Sequence, residues 1–181
     1  MTKAGKQNWS DKLKRMGACS DAVEWAATQP SAAVAWKACK RGDWMLWLLG
    51  KLSGKPESDA RKKLVLAACA CARLSLKYVP KGEERPRKAI ETAEAWAHGK
   101  ASIGDVRSSA DAAYAVAAYA AYAAYAYAAD AAAAAYAAAA AYAADAADAA
   151  DAADADAART KALAECAVVI RKIYKTSPRI T

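Results

Sequence analysis

Phenylalanine is absent from this chain of 181 residues, and glycine, proline and histidine occur only eight, five and one times. Glycine and proline are the residues that most often interrupt helices, so their scarcity leaves few places where a helix has to end. Alanine, the strongest helix former, dominates the second half of the chain. We therefore expect a single all-α domain over residues 1–181, built as a helical bundle or array.

Residues that usually carry out catalysis or bind metals are also few. His98 is the only histidine, and the five cysteines lack the spacing of a zinc site or a disulfide scaffold. The sequence has no Gly-rich phosphate loop and no recognisable group of Ser, His and Asp. We expect buried thiols in a reducing cytoplasm, with no metal, no cofactor and no enzymatic activity.

Long hydrophobic runs are missing as well. The opening residues, MTKAGKQNWSDKLKRM, contain no apolar stretch of the kind found in a signal peptide. The uncharged run Ala112–Ala129 is mostly alanine, and its tyrosines lie in the middle, whereas a membrane interface would place them at the ends. We expect no membrane segment and a cytoplasmic location.

The net charge of +8 is unevenly distributed along the chain. Residues 1–100 contain 20 lysines and arginines against 10 acidic residues, whereas residues 101–181 contain 7 against 9. Composition divides the domain into a basic segment with tryptophans and arginines (1–107), an Ala-rich helical segment (108–158) and an amphipathic C-terminal helix (159–176). An anionic partner is therefore expected at the basic segment.

Within the Ala-rich segment, Ala110–Ala158 contains only alanine, tyrosine and aspartate apart from Val116. This composition predicts helix, either as one long helix or as a hairpin. Tyr114, Tyr125 and Tyr136 repeat every 11 residues and would lie on one helix face. We expect that face to pack against the bundle or against a second copy of the chain, and the latter predicts a homo-oligomer.

Local signals place the other helices. Ser20 and Ser58 are expected N-caps, and Pro80 should end the helix that runs over residues 59–79. Ser102 and Asp105 form a capping box. The last helix, from residue 160, carries an apolar stripe of Leu163, Cys166, Ile170 and Ile173.

The stretch RGDWMLWLL (residues 41–49) places polar and aromatic groups close together. As a helix it brings Asp43, Trp44 and Trp47 onto one arc, with Arg41 just before it. Two indoles beside a cation and a carboxylate can cradle a flat aromatic ligand, and they can equally fill a core. The sequence leaves both interpretations open for the pair, and for Trp47 taken alone we expect a place in the core.

Three further arginines stand out. Arg73 shares a helix face with apolar residues, so it should form an ion pair with Asp43 or Glu91, or clamp a phosphate or carboxylate. Arg85 and Arg87 flank Pro86 at a helix N-terminus, which favours anions. The adjacent glutamates at 83 and 84 could instead neutralise both arginines. We expect one ligand pocket formed by Arg41, Asp43, Trp44, Trp47, Arg73, Arg85 and Arg87.

Four stretches resemble a known family: AWKACKRGDWMLWLLGKL, RKKLVLAACACARLSLKYVP, RPRKAIETAEAWAHGKAS and ARTKALAECAVVIRKIY. They are similar to the Imm-5-like immunity proteins of bacteria and phages, and the resemblance covers the chain from about Asp21 to Tyr174. It implies a non-enzymatic neutraliser in a bacterial or infected bacterial cell. It also implies that the Ala-rich tract varies in length, and it carries over no site residue.

Two functions follow from these features. In the first, the protein is a phage-type anti-defence sponge, in which arginines hold the phosphate and tryptophans hold the base of a small anionic nucleotide signal. In the second, it is an immunity or inhibitor protein that covers the active site of a partner toxin or enzyme. Nucleic acid ranks behind both, because the tract is acidic and no nucleic-acid motif is present.

Overall fold

The computed structural model describes residues 9–55, 57–74, 76–79, 81–114 and 152–180, and in these ranges it is all-α, with no strand. The expected fold class is therefore confirmed. A short 3₁₀ turn lies at Leu76–Tyr78. The helices are α1 (Trp9–Arg15), α2 (Ser20–Ala27), α3 (Ala32–Ala38), α4 (Gly42–Leu52), α5 (Asp59–Arg73), α6 (Arg85–Ala97), α7 (Ile103–Tyr114) and α8 (Ala152–Ile173).

Helix α5 is the centre of the array, because it packs against α4, α6 and α8, while α7 packs on the outer side of α6. Cys69 and Cys71 are fully buried and lie on different sides of α5. The Sγ of Cys69 lies 3.8 Å from the carbonyl oxygen of Ile90 on α6, and that of Cys71 lies 3.8 Å from the carbonyl oxygen of Cys166 on α8. Two thiols that are two residues apart thus contact two different helices, as helical geometry requires.

Serine caps begin several of these helices. Ser31 accepts a hydrogen bond from the Val34 amide at the start of α3, and Ser58 accepts one from the Arg61 amide at the start of α5. The expected capping box of α7 is confirmed: the Ser102 amide donates to Asp105 at 2.8 Å, and the Asp105 amide donates to Ser102 Oγ at 3.1 Å. These bonds satisfy amides that a helix start leaves without a partner.

Three boundaries differ from the expectation. Cys19 occupies the N-cap position of α2, because the Ser20 hydroxyl donates to the Asp21 carboxylate and Ser20 is already helical. Helix α5 ends at Arg73, well before residue 79, and the Leu74 amide there donates to the Cys71 carbonyl in a tightened last turn. Helix α8 begins at Ala152, before residue 160, so the end of the Ala-rich segment belongs to the C-terminal helix.

Helix α4 lies very close to α8, and Gly42 makes this approach possible. A Cβ atom at Gly42 would lie 2.5 Å from the Cβ of Cys166 and 3.0 Å from the Ala167 amide nitrogen. The same region is fastened by Arg171 of α8, whose Nη1 donates to the Cys39 carbonyl at 2.6 Å. The turn between α3 and α4 is therefore held directly against the C-terminal helix.

Three of the four residues of the apolar stripe expected on the last helix contact the core, and the half-buried Leu163 is the exception. Cys166 and Ile170 of α8 are buried in the main core, and Ile173 packs against it. The tyrosine stripe, the choice between one long helix and a hairpin, and the proposed packing of the Ala-rich tract fall on residues 115–151, which lie outside the described residues.

Candidate functional site

A cavity between the N-terminal helices and the C-terminal residues is lined by five of the six tryptophans of the chain. Its volume is about 60 Å³. Four helices contribute indoles, and the segment after α8 lines one side. The tryptophans are Trp9 of α1, Trp25 of α2, Trp36 of α3, and Trp44 and Trp47 of α4.

One side of this tryptophan-lined cavity is a stack of three side chains. The guanidinium carbon of Arg41 lies 4.4 Å from the ring centroid of Trp44, which is within the range of a cation–π contact. On α2, the Trp25 ring centroid lies 5.9 Å from that of Trp44, with the rings tilted by 52°. The Nε of Arg41 also donates to both carboxylate oxygens of Asp43, at 2.9 and 3.1 Å. Arg41 is therefore fixed by an indole and by a carboxylate.

Hydrogen bonds fix two of the other indoles. The Nε1 of Trp36 donates to the Tyr174 carbonyl at 3.1 Å, and that of Trp9 donates to the Gln29 carbonyl at 3.4 Å. Satisfied indole N–H groups allow these rings to form a stable wall. Trp47 is half-buried, and the Nζ of Lys51, one turn further along α4, lies 5.6 Å from its ring centroid.

The cavity contains few groups that could carry out chemistry. The one thiol that lines it belongs to Cys39. Burial raises the pKa of this thiol above its ordinary value of 9, and the nearby Asp43 carboxylate raises it further, although a bond with the Arg41 backbone opposes both effects. A thiol that stays protonated at neutral pH is a poor nucleophile. The arrangement is therefore suited to holding an apolar or aromatic group.

Arg73 lies outside this cavity and has a carboxylate partner that the sequence did not indicate. Its Nε and Nη2 donate to the two carboxylate oxygens of Glu94 at 2.8 and 2.7 Å. This pair joins α5 to α6, and it raises the pKa of Arg73. Arg73 is exposed and forms an ion pair, which is one of the two expected alternatives, but its partner is Glu94 and neither Asp43 nor Glu91.

Arg85 and Arg87 bind the glutamates just before α6. The Nε of Arg85 donates to Glu83 at 2.8 Å, and the Nε of Arg87 donates to Glu84 at 3.1 Å. Hydrogen bonds from the Arg85 side chain and backbone hold the pKa of Glu83 near 2. Both arginines are exposed, and their positive charge is locally balanced.

Neither of two cavities among the described residues is lined by all seven of the residues expected to share one pocket. Trp44 and Trp47 line the tryptophan-lined cavity, and Arg41 with Asp43 lies next to it through the stack on Trp44. A second cavity of about 280 Å³, between α6 and α7, is lined by Arg85, Lys88, Thr92, Asp105, Ser108, Ser109 and Ala112. Arg73 and Arg87 line neither of these two cavities.

Sequence reasoning missed Trp9, Trp25 and Trp36, and it also missed the C-terminal residues that complete the cavity. One signal was present, since five of the six tryptophans occur before residue 50. Their spacing along the chain, however, follows no single helix period, because they lie on four different helices.

No family model, curated protein or solved structure matches the chain. Within the described ranges, no helix is both long enough and apolar enough to cross a membrane. A search of the same residues also finds no group of three or more His, Cys, Asp or Glu side chains positioned to hold a metal ion. The geometry of the tryptophan-lined cavity is therefore the basis for a functional proposal.

Proposed function

We propose that this protein is a non-enzymatic binding protein that sequesters a flat anionic ligand, such as a nucleotide immune signal, at the tryptophan-lined cavity. The observation that carries the proposal is the convergence of five indoles on one cavity with a guanidinium stacked at its edge. The resemblance to the Imm-5-like immunity proteins supports a neutralising role of this kind.

The indoles supply the binding surface for the base. Stacking of a nucleobase on an aromatic side chain contributes about 1–3 kcal/mol and tolerates different bases. The half-buried Trp44 and Trp47 are the rings available for this contact, since Trp36 is buried. In this proposal Trp44 and Trp47 carry the largest part of the affinity.

Arg41 supplies the group for the phosphate. Its side chain is 39% exposed, and the stack on Trp44 keeps its guanidinium plane beside the cavity. A guanidinium forms two parallel hydrogen bonds with a phosphate as readily as with a carboxylate. A bound phosphate would take the place of Asp43, and the carboxylate would turn to solvent.

The proposal is tested with the small molecule that purified protein releases on heating, identified by mass spectrometry. A stoichiometric nucleotide that is also recovered unchanged when added and re-extracted is the expected result. Trp44→Leu should weaken its binding at least tenfold, whereas Arg73→Ala, outside the cavity, should leave it unchanged. Recovery of a cleaved product would show an enzyme instead.

A second candidate is the inhibitor protein, and the size of the cavity favours it. Ligand pockets usually enclose about 300–1,000 Å³, whereas this cavity encloses about 60 Å³. An apolar side chain of a partner protein, inserted between indoles, would fill such a space as an anchor residue. In that case, heating would release no nucleotide, and a partner protein would co-purify in fixed ratio and dissociate from the Trp44→Arg variant.

A further inference from the structure

The segment after α8 crosses the open side of the tryptophan-lined cavity. We name residues 175–180 the C-terminal strap. Ser177, Pro178 and Ile180 line the cavity and are half-buried, whereas Thr176 and Arg179 are exposed. The strap therefore presents one side to the indoles and the other side to solvent.

The strap is fastened at its two ends. Where it leaves α8, the Tyr174 carbonyl accepts a hydrogen bond from Trp36 Nε1 at 3.1 Å. At the far end, the Ile180 carbonyl accepts one from Lys12 Nζ of α1, also at 3.1 Å. Residues 174–180 form neither helix nor strand. A segment of this kind, held by few hydrogen bonds, opens at a lower free energy than a packed helix.

The volume of the cavity makes this segment important for binding. At about 60 Å³, the cavity with the strap in place is well below the usual size of a pocket that holds a whole ligand. Trp36 is buried in the main core, and Trp25 and Trp44 pack against it. The strap is a non-helical segment with three residues in the cavity wall, and its movement would supply space for an aromatic ring plus an anionic group.

We propose that the C-terminal strap is autoinhibitory: it occupies part of the binding site, and an aromatic anion binds the indoles by displacing Ser177, Pro178 and Ile180. This inference rests on the proposed function, because it concerns the same site. The apparent affinity is then the intrinsic affinity multiplied by the fraction of molecules whose strap is open. Changes that weaken the strap should tighten binding, although they remove contacts.

The test uses the full chain and 1-anilinonaphthalene-8-sulfonate, a probe with aromatic rings and one anionic group. Ile180→Asp places a carboxylate against apolar indoles and should open the strap. Thr176→Asp adds the same charge on the exposed side and is the matched control. We expect Ile180→Asp to bind the probe at least threefold more tightly than Thr176→Asp, with both variants as helical as the unmodified protein by circular dichroism.

A readout without ligand accompanies this titration. Acrylamide should quench tryptophan fluorescence more strongly in Ile180→Asp than in Thr176→Asp. Lys12→Met removes the far hydrogen bond and should act in the same direction, whereas Lys14→Met, an exposed change on the same helix, should not. If Ile180→Asp fails to fold, the comparison of Lys12→Met with Lys14→Met tests the proposal.

The outcomes separate the two proposals. The proposal that the strap is autoinhibitory would be overturned by equal quenching and equal probe affinity within a pair of variants. The pairs are folded Ile180→Asp with Thr176→Asp, and Lys12→Met with Lys14→Met. If quenching and probe affinity change as expected but no nucleotide binds any variant, the strap is supported as a cover of the cavity and the nucleotide ligand is refuted.

Discussion

Arg41 and Arg73 each hold a carboxylate through more than one hydrogen bond, yet their surroundings differ. Arg41 pairs with a neighbour two residues away and also stacks on Trp44, at the edge of a cavity. Arg73 pairs with Glu94 of the adjacent helix. At the scale of single residues, the first arrangement leaves a cation beside a binding surface, and the second fastens two helices together.

Arg73→Ala should therefore lower stability without affecting ligand binding. The pair is partly exposed, with 39% of the Arg73 side chain and 27% of the Glu94 side chain accessible. Exposed ion pairs contribute about 0.2–1 kcal/mol. A double-mutant cycle with Glu94→Ala, measured by urea unfolding, should give a coupling energy in that range. Zero coupling, together with a large loss of ligand affinity in Arg73→Ala, would indicate that Arg73 belongs to the binding site.

The cysteines should differ sharply in reactivity. Cys19 is exposed, whereas Cys39, Cys69, Cys71 and Cys166 are buried. Labelling of the native protein with 5,5′-dithiobis(2-nitrobenzoic acid) should modify one thiol rapidly, and labelling in guanidinium chloride should modify all five. Cys19→Ser should abolish the rapid phase. Rapid labelling of a second native thiol would contradict the burial of the other four.

We expect alkaline pH to destabilise the fold, because a thiol and a phenol stay protonated in the folded protein at pH values where they ionise in the unfolded chain. Burial, followed by the Glu94 carboxylate, raises the pKa of the Cys69 thiol from 9 to about 12, and burial raises that of the Tyr174 phenol from 10 to about 12. The unfolded chain loses these protons at lower pH than the folded chain. The contribution of these two groups to the free energy of unfolding is therefore complete below pH 9, and it is lost as the pH rises towards 12.

Between about pH 8 and pH 10.5, Cys69 alone should lower the free energy of unfolding by on the order of 2 kcal/mol. Urea titrations at several pH values measure this loss. Cys69→Ala should reduce the slope of stability against pH, whereas Cys19→Ala, at an exposed position, should preserve it. A stability that is constant across this range would show that the thiol ionises normally in the folded protein.

At the scale of helices, Gly42 and Gly50 of α4 form a matched pair. A Cβ atom at Gly42 would collide with Cys166 at 2.5 Å, whereas one at Gly50 would meet Leu64 Cδ2 at an ordinary 3.9 Å. Gly42→Ala should cost about 1–3 kcal/mol by forcing α4 away from α8. Gly50→Ala should stabilise α4 by up to about 1 kcal/mol.

Thermal and urea unfolding of the two glycine variants provide the measurement. The contrast between them is the result to be checked, since both substitutions improve helix propensity and only one meets a neighbouring helix. Equal stability of Gly42→Ala and Gly50→Ala would mean that α4 and α8 are further apart than described here.

Much of the helical pattern could be predicted because its causes are local. The Ser102–Asp105 capping box and the burial of Cys166 and Ile170 follow from side chains within a few turns of one another. The end of α5 could not be predicted in this way, because no proline or glycine occurs between Asp59 and Pro80. The helix stops at Arg73 in a tightened turn, where the Leu74 amide donates to the Cys71 carbonyl.

Less of the candidate site could be predicted. Trp44 and Trp47 were found because they are three residues apart on one helix. Trp9, Trp25 and the strap reach the same cavity from elements that are distant in sequence. Arg73 pairs with Glu94 and not with Glu91, although both glutamates lie on α6. Which of the two becomes the partner depends on how α5 and α6 are rotated relative to each other, and no local pattern specifies that rotation.

At the scale of the whole molecule, we expect self-association. The prediction comes from the Ala-rich tract with its repeating tyrosines, whose small side chains allow close approach between helices. Multi-angle light scattering should give a mass above the 18.9 kDa of one chain at micromolar concentration. A mass equal to that of one chain throughout this range would count against the homo-oligomer.

The position of α8 at the far end of the chain also has a consequence for biosynthesis. Its Cys166, Ala167 and Ile170 fill the core formed with α4 and α5, which the ribosome makes first. At about 5–20 residues per second, translation from the end of α5 to the end of α8 takes on the order of ten seconds. During that interval the nascent helices expose an uncovered apolar surface, which is the kind of surface that chaperones bind.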